Sequence, residues 1–503
     1  MAHFVKLPGI LDFFSRHKKV VSFAAAVFLL IVIAGLVLFL RAWPFTEERV
    51  SSDLGSALSA NVRFGSFRRK YFPPGCIADN VTFQRDSSNQ PIVTVRRLTI
   101  TSNLLGLIRR HIRLINAEGV QVVASPRDFT SQSSSHLNTV VDELNADGAT
   151  LQIASRTSGA NHHNFKFYKF TITNLGGGGV IHFSAFFENP LPRGELGTTG
   201  EFGPWKRDSP EQVPVSGSYS LESADLGVFP GIGGILSSKG DFKGTFKSIQ
   251  VRGTTQTPKF EVTNTGHTLP LETRFDAAVD ATSGDVVLQH VKARLGKTDI
   301  NADGTIARGE DRHRVAHINL TSAQGHVEDV FYLFVHAKTS PLYGTVNFKM
   351  KVALPGGSQP FLKRVDLEST FQIQQAKFAN PQTQGHLNEI SQPSGHEDPN
   401  ALALSQLTGQ VRLEHGFAHF ADLSLQDSGA AAAFKGTYSL TDERIDLHGK
   451  LRTRSLSNGS HGFKKVVLKV ISPFFKKNPK ETEAPVKISG TYRHPAFGLD
   501  TGS

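Results

Sequence analysis

The 503-residue chain contains 20% charged residues and has a mean hydropathy of −0.20, which excludes both wholesale disorder and a polytopic membrane protein. Its formal net charge of +11 is spread along the sequence, so the chain fits contact with anionic membrane surfaces at least as well as nucleic-acid binding. The single cysteine, Cys76, excludes an intrachain disulfide framework and a Cys-rich metal site. Phenylalanine (37) far outnumbers tyrosine (7) and tryptophan (2), which favours many aromatic positions that stay out of contact with water.

Residues 20–40 are apolar throughout except for Ser22. A helix of this length spans roughly 30 Å, the thickness of the hydrocarbon core of a bilayer. Four basic residues at 16–19 directly precede it, which orients the N-terminal side to the cytoplasm. A signal peptide has a shorter apolar region, and a buried core helix of this length normally carries a polar stripe. We therefore expect a cytoplasmic tail at 1–19 and a retained transmembrane helix at 20–40.

Residues 45–195 are predicted to form an α+β section. Val50, Leu54 and Leu58 recur every four residues, which predicts a helix over 47–60. The apolar period then changes to two, as in half-buried strands. The alternating pairs are Val62 and Phe64, Val81 and Phe83, Val93 and Val95, Leu98 and Ile100, Ile112 and Leu114, and Val120 and Val122.

Three shorter features complete this section. Residues 103–110 predict a helical turn, and the polar stretch 125–160 predicts an exposed loop with a short helix over 137–144. Ile181, Phe183 and Phe187 then share one apolar face of a predicted strand. The following middle section, 196–325, is predicted to consist of short strands punctuated by glycine.

The last section, 326–503, begins with a predicted helix over 326–336. A strand follows with strict alternation, because Lys349 and Lys351 lie between apolar residues. Those apolar residues are Val346, Phe348, Met350 and Val352. Residues 380–400, rich in glutamine, proline and glycine, predict a flexible loop before further strands.

A basic amphipathic helix is predicted over 460–477. Its apolar residues share a face at helical spacing, and lysines surround that face. They are Phe463, Val467, Val470 and Phe474. This helix either contacts a membrane, caps an apolar cavity, or packs on the sheet with its lysines in water.

Residues 251–262 and 488–499 share the form apolar-x-Gly-Thr-x-x-x-Pro-x-Phe-x-apolar. This pattern predicts a strand, a turn that proline ends, and another strand. The copies are too far apart for a short-period solenoid. They favour an exported region built from two sections that end alike.

Two catalytic or nucleotide-binding motifs are nearly present in the sequence, but each lacks one required residue. Gly296-Lys297-Thr298 lacks the upstream glycine of a phosphate-binding loop, and residues 458–462 lack the first glycine of a nucleophile elbow. Residues 299–310 do fit the calcium loop D-x-N-x-D-G-x5-E. Strand-like sequences replace the flanking helices of such a loop, which argues against calcium binding. We expect no enzymatic activity, no metal site and no cofactor.

The final third, with "LTGQVRLEHGFAHFADLSLQDSGAAAAFKGTYSLTDERIDLHGKLRT", "SPFFKK" and "APVKISGTYRHPAFGLD", resembles the C-terminal region of AsmA-like proteins. The layout is also similar, with an N-terminal anchor, a short helix and strands that begin "ALSANVRFGSF". The resemblance implies a mostly β fold, with a transmembrane helix followed by a long, curved, taco-like antiparallel sheet that has an apolar inner face. It also implies a role in moving or holding phospholipid between the two membranes of double-membraned bacteria, and in outer-membrane homeostasis. The chain is several times shorter than the largest relatives.

The leading hypothesis is therefore a single-pass inner-membrane protein whose periplasmic part binds or transfers lipid without covalent chemistry. Acyl chains would lie along apolar faces such as those of Phe183 and Phe348, while Lys349 and Lys351 meet water. The alternatives are that these faces form a sealed protein core, or that the chain is a tether or outer-membrane assembly factor that binds proteins through sheet edges. The expected partners are acyl-chain lipid, the inner membrane and envelope proteins, but not nucleic acid.

Overall fold

The structure, a computed structural model, describes residues 43–85, 90–104, 106, 111–124, 139–153, 163–205, 209–229, 231–262, 267–309, 314–334, 339–340, 342–357, 359, 361–379, 404–426, 430–453, 482–491 and 494–500. These residues are mostly β, as the sequence predicts, with α-helices α1 (Glu47–Leu58), α2 (Val327–Phe334) and α3 (Phe361–Arg364). The strands are β1 (Asn61–Arg63), β2 (Ser66–Lys70), β3 (Gly75–Gln84), β4 (Val93–Thr101), β5 (His111–Ala124), β6 (Val140–Ile153), β7 (His163–Leu175), β8 (Ile181–Pro190), β9 (Arg193–Phe202), β10 (Pro214–Asp225), β11 (Ile232–Gly233), β12 (Ile235–Thr245), β13 (Ser248–Val262), β14 (Thr268–Val279), β15 (Val286–Leu295), β16 (Thr298–Arg308), β17 (Arg314–His326), β18 (Leu342–Pro355), β19 (Asp366–Phe378), β20 (Leu404–Glu414), β21 (Phe417–Gln426), β22 (Ala430–Ser439), β23 (Arg444–Thr453), β24 (Thr482–Thr491) and β25 (His494–Leu499).

Several sequence predictions fall outside the described residues. They are the tail at 1–19, the transmembrane helix at 20–40, the loop at 380–400, and the amphipathic helix at 460–477 with Phe463, Val467, Val470 and Phe474. In the part of the chain that is described, none of the helices has the length and apolar character needed to cross a membrane.

The helix predicted over 47–60 is confirmed as α1. The Thr46 side chain accepts a hydrogen bond from the Arg49 backbone N–H at 3.4 Å and caps its first turn, and Ser59 ends it in a left-handed conformation. Val50 lies on its buried face. The helix predicted over 326–336 is confirmed as α2.

The helix predicted over 137–144 and the exposed loop predicted over 125–160 are wrong where the structure describes them. Residues 140–153 form strand β6, and Val141 is buried in a core cluster to which Leu144 also packs. The spacing of these two apolar residues resembles one helical turn, but adjacent β-branched residues such as Val140 and Val141 favour a strand.

The two copies of the internal repeat differ in structure. Around Pro258 the chain does not turn, because β13 continues through it with a register shift between Thr257 and Phe260. A bulge accommodates the missing proline N–H without ending the strand. In the second copy, β24 ends at Thr491 and β25 begins at His494, so the prediction of two separate strands is confirmed there.

The chain divides into two compact units. Unit 1 comprises the described residues up to Asp147 together with Leu175–Gly177. In it, β1 and β2 both pair with β3, which continues to β4 and β5 in antiparallel order. Its core lies between this sheet, α1 and the segment before α1, and includes Trp43, Phe45, Val50, Cys76, Val81 and Leu98.

Unit 2 contains Gly148–Asn174 and the described residues from Gly178 onward. From β7 to β25 each strand pairs antiparallel with the next, except that β11 is a short strand beside β13 and β10 pairs directly with β12. This order is a meander, in which all contacts within the sheet are between strands that are close in sequence. The register of each strand pair in this meander decides which side chains share a face of the sheet.

Candidate functional site

One face of the unit 2 sheet is apolar across fifteen strands. In an antiparallel ladder, directly paired residues point to the same side of the sheet. A row of such pairs begins at Phe183 in β8 and ends at Ile445 in β23. It runs through Gly200, Gly217, Phe242, Val251, Ala277, Leu288, Gly304, Ile318, Val352, Leu367, Leu413, Ala418 and Tyr438. We call the side that carries this row the apolar face.

The opposite side, the polar face, is lined by hydrophilic residues in the same register. The row next to the first one, for example, consists of Ser184, Thr199, Ser218, Asp241, Arg252, Asp276 and His290. Cross-strand ion pairs such as Arg252–Asp276 (3.1 Å) and Arg294–Asp299 (2.8 Å) lie on this side. The two faces therefore differ sharply in chemistry, as in a sheet that meets water on one side only.

Phenylalanine rings on the apolar face lie over glycines of neighbouring strands. A Cβ atom added at Gly217 would lie 2.7 Å from Cζ of Phe242, and one added at Gly409 would lie 2.8 Å from Cζ of Phe371. The same holds for Gly200 and the ring of Phe183, at 2.9 Å. Each ring thus occupies the space of the side chain that the glycine lacks. The abundance of phenylalanine and glycine in the sequence has this common structural reason.

The apolar face is only half-buried over much of its area. Phe242, Val251, Phe275 and Val291 are all of intermediate exposure. None of them belongs to any of the five core clusters that the described residues form. Their neighbours within the sheet cover them from the side, but no second layer of described residues packs over them.

The end of the sheet at β7–β9 has a group of aromatic side chains on the apolar face. The Phe187 ring lies 4.8 Å from that of Phe167 and 6.0 Å from that of Phe165, and the Phe183 ring lies 6.1 Å from that of Phe202. Ile181 at the start of β8 is 8% exposed. Phe186, between these residues in sequence, points to the polar face and is 43% exposed.

Another part of the apolar face is covered by protein. Helix α2 packs over β18 through Val327, and there Val346 and Phe348 are only 4% and 7% exposed. Ile373 and Leu407 complete this cluster, which we call the α2 core. These contacts are between protein side chains, so Val346 and Phe348 belong to a protein core.

The carboxylate of Asp329 fixes α2 on the sheet. This buried side chain accepts hydrogen bonds from the Lys297 backbone N–H and from the Thr298 hydroxyl, both at 2.8 Å. The Thr298 hydroxyl in turn accepts from the His326 backbone N–H at 3.0 Å. The turn between β15 and β16 is thereby tied to the first turn of α2.

Contacts of Phe361 show that the sheet of unit 2 is curved. Phe361 packs against the cluster of Val262, Leu295 and Leu333 and also against the cluster of Val365, Leu413 and Ala418. Leu295 and Leu413 lie on β15 and β20, five strands apart, which is roughly 24 Å in a flat sheet. One phenylalanine reaches both groups because the sheet bends and because α2 contributes Leu333. The curved antiparallel sheet that the resemblance implies is confirmed for this unit.

All seven residues predicted to line an apolar site lie on the apolar face. Their surroundings divide them into two groups. Ile181, Val346 and Phe348 are buried, whereas Phe183, Phe187, Met350 and Val352 are half-buried. Lys349 and Lys351 are exposed on the other face, so the alternation predicted for β18 is confirmed.

The calcium loop that the sequence matches at 299–310 is contradicted by the structure. Residues 298–308 form strand β16 rather than a loop between helices, and Glu310, the last residue of the motif, lies outside the described residues. The Arg294 guanidinium hydrogen-bonds the Asp299 carboxylate and lowers its pKa, so this carboxylate is already engaged. Among the described residues, no group of three or more His, Cys, Asp or Glu side chains could hold a metal ion.

No family model, curated protein or solved structure matches this chain.

Sequence reasoning did not single out half-buried residues of the apolar face such as Phe242, Phe275 and Val291. Each lies in an alternating stretch, which is the signal that could have indicated them. The position of Phe242 and Phe275 over neighbouring glycines depends on register, which a single strand does not reveal.

Proposed function

We propose that this protein is a membrane-anchored lipid-binding or lipid-transfer protein that holds acyl chains on the apolar face of unit 2. Residues 20–40 would anchor it in the inner membrane with the N-terminus in the cytoplasm, and the remainder would act in the periplasm in outer-membrane homeostasis. The resemblance of the final third to AsmA-like proteins supports this assignment. The observation that carries the proposal is the apolar row, which runs through fifteen paired strands without a charged side chain and is half-buried at most of its positions.

The dimensions of the row suit acyl chains. The eight paired strands β8–β10 and β12–β16 extend roughly 34 Å along the sheet at about 4.8 Å spacing. One leaflet of the hydrocarbon core is about 15 Å thick, so this part of the row is long enough for about two acyl chains in succession. Each methylene group removed from water contributes about 0.8 kcal/mol, so affinity needs no specific contact to a headgroup.

The site we propose is centred on the part of β8–β16 around Phe242 and Phe275, which belongs to no core cluster of described residues. The end of β13–β16 next to Val262 and Leu295 is excluded, because Leu333 of α2 packs there. The α2 core is excluded, because protein side chains already fill the space over Val346 and Phe348. Half-buried phenylalanines rather than tyrosines are consistent with occupation by lipid, because the rings carry no polar group that must reach water.

We expect Phe183→Glu and Phe275→Glu to remove most of the phospholipid that copurifies with the full chain. A charge within a hydrocarbon environment costs about 2.5–3.5 kcal/mol, which corresponds to more than a tenfold loss of binding. The measurement is the molar ratio of phospholipid to protein, determined by mass spectrometry after purification in detergent.

Phe186→Glu is the matched control, since Phe186 lies on the same strand as Phe183 and points to the polar face. Lipid associated with the anchor contributes equally to all variants. Phospholipid ratios that are equal in Phe183→Glu, Phe275→Glu and Phe186→Glu would contradict the proposed site.

A further inference from the structure

Unit 1 gathers exposed apolar side chains at one end of its sheet. Phe72, in the turn between β2 and β3, is 85% exposed, and Tyr71 beside it is 48% exposed. Leu104, which follows β4, is 54% exposed. The Ser102 backbone N–H donates to the Pro74 carbonyl at 2.7 Å, which places the segment after β4 next to this turn. The large side chains of Tyr71, Phe72 and Leu104 are therefore all exposed at the same end of this sheet.

Basic residues flank this apolar group. Arg68 and Arg69 at the end of β2 are exposed, and Lys70 is half-buried. Arg68 lies 3.8 Å from the Asp79 carboxylate, whereas Arg69 and Lys70 have no carboxylate partner among the described residues. Exposed aromatic side chains next to unpaired cations are the combination that binds an anionic membrane surface.

The position of Trp43 places this end of unit 1 near the bilayer. Trp43 follows the apolar stretch 20–40 by three residues, which span at most about 11 Å. Its ring lies 5.1 Å from that of Tyr71. If residues 20–40 cross the membrane, the turn at Phe72 is therefore within reach of the lipid headgroups, whose layer is about 5–8 Å thick on each side.

We propose that this end of unit 1 docks on the surface of the bilayer in which the chain is anchored. Phe72 and Leu104 insert among the headgroups, and Arg69 and Lys70 bind anionic lipid phosphates. This inference rests on the anchor of the proposed function. Docking would hold unit 1 in a fixed orientation at the membrane instead of on a free tether.

The test uses the full chain in lipid nanodiscs that contain about 30% anionic phospholipid. An environment-sensitive fluorophore is attached at Leu104→Cys, and its quenching by nitroxide lipids labelled near the headgroup is measured. The native Cys76 does not compete for the label, because it is fully buried and burial raises the pKa of its thiol to about 12.

Val123→Cys carries the control label. Val123 is also exposed and apolar, at 44%, but it lies near the far end of β5. His111, at the start of β5, accepts a hydrogen bond from Ser102 at 2.7 Å, so β5 starts at the docking end. Twelve residues of strand separate Val123 from that end by roughly 40 Å.

We expect strong quenching and a blue-shifted emission at position 104, and neither at position 123. Phe72→Ser, in the chain labelled at 104, should lower the ratio of docked to undocked protein roughly tenfold, because the largest inserted side chain is lost. Arg69→Gln with Lys70→Gln should lower it about fivefold for each charge in anionic nanodiscs and leave it unchanged in zwitterionic ones.

The outcomes separate this inference from the proposed function. Protein that stays in the nanodisc with an unquenched label at 104 overturns docking and leaves the anchor intact. Quenching that is insensitive to Phe72→Ser and to the charge substitutions also overturns it. A chain that does not stay with the nanodisc overturns the anchor, and the docking inference with it.

Discussion

Phe348→Ala is expected to lower the free energy of unfolding by about 3–5 kcal/mol. Phe348 is 7% exposed and lies in the α2 core beside Val346 and Ile373, and its cross-strand partner is Phe371. Its truncation leaves a cavity that the helix and two strands close only in part. Chemical denaturation of the full chain, followed by near-UV circular dichroism, measures the loss.

Phe275→Ala is the variant with which the stability loss of Phe348→Ala is compared. Phe275 lies on the same face of the sheet but is only half-buried and contacts no core cluster of the described residues. We expect its truncation in lipid-free protein to cost less than half as much, and Lys349→Ala to leave stability unchanged. Equal losses for Phe348→Ala and Phe275→Ala would show that the apolar face is sealed by protein at both places.

Asp329→Ala is expected to cost about 1–3 kcal/mol and to release α2 from the sheet. The substitution removes the acceptor for the Lys297 backbone N–H, which is left without a partner. It leaves the buried Thr298 hydroxyl, as a donor, only its 3.2 Å hydrogen bond to the His326 carbonyl. Hydrogen–deuterium exchange of the α2 amides should then increase strongly.

Asp329→Asn separates the loss of charge from the loss of the acceptor. The amide oxygen of asparagine can still accept a hydrogen bond, so the expected loss is smaller and α2 should remain largely protected. Exchange of α2 that is unchanged in Asp329→Ala would contradict the role assigned to this carboxylate.

Local patterns were sufficient to predict much of the fold. The alternation of Val346 and Phe348 with lysines predicts β18, and the four-residue spacing of Val50 and Leu54 predicts α1. The same local logic fails at Val141 and Leu144, whose spacing fits one helical turn although the segment is a strand. There the pairing of the strand within the sheet outweighs the local period.

The candidate site was less predictable for a physical reason. Phe183 and Phe348 have the same alternating context in sequence, yet one is half-buried and the other is enclosed by α2. Coverage of a strand face depends on elements that are distant in sequence. The contact of Phe371 with Gly409 likewise depends on the register of β19 and β20.

At 299–310 the local sequence matches a calcium-binding motif, but the structural context of that motif is missing. Alternate acidic residues such as Asp299 and Asp303 also occur on the polar face of a strand, where they meet cross-strand partners. Asp299 binds Arg294, and Asp303 accepts a hydrogen bond from the Asn319 amide at 2.8 Å. The cross-strand partners of these carboxylates in the sheet therefore explain their spacing without a metal ion.

Site-specific photo-crosslinking tests the central claim most directly. A photoreactive phenylalanine analogue is placed at Phe183 on the apolar face, or at Phe186 on the polar face of the same strand, in the full chain in its native membranes. The account predicts phospholipid adducts at position 183 and none at position 186. Adducts at position 183 only to residues of this chain would contradict it, as would adducts only to another protein, which would favour the tether.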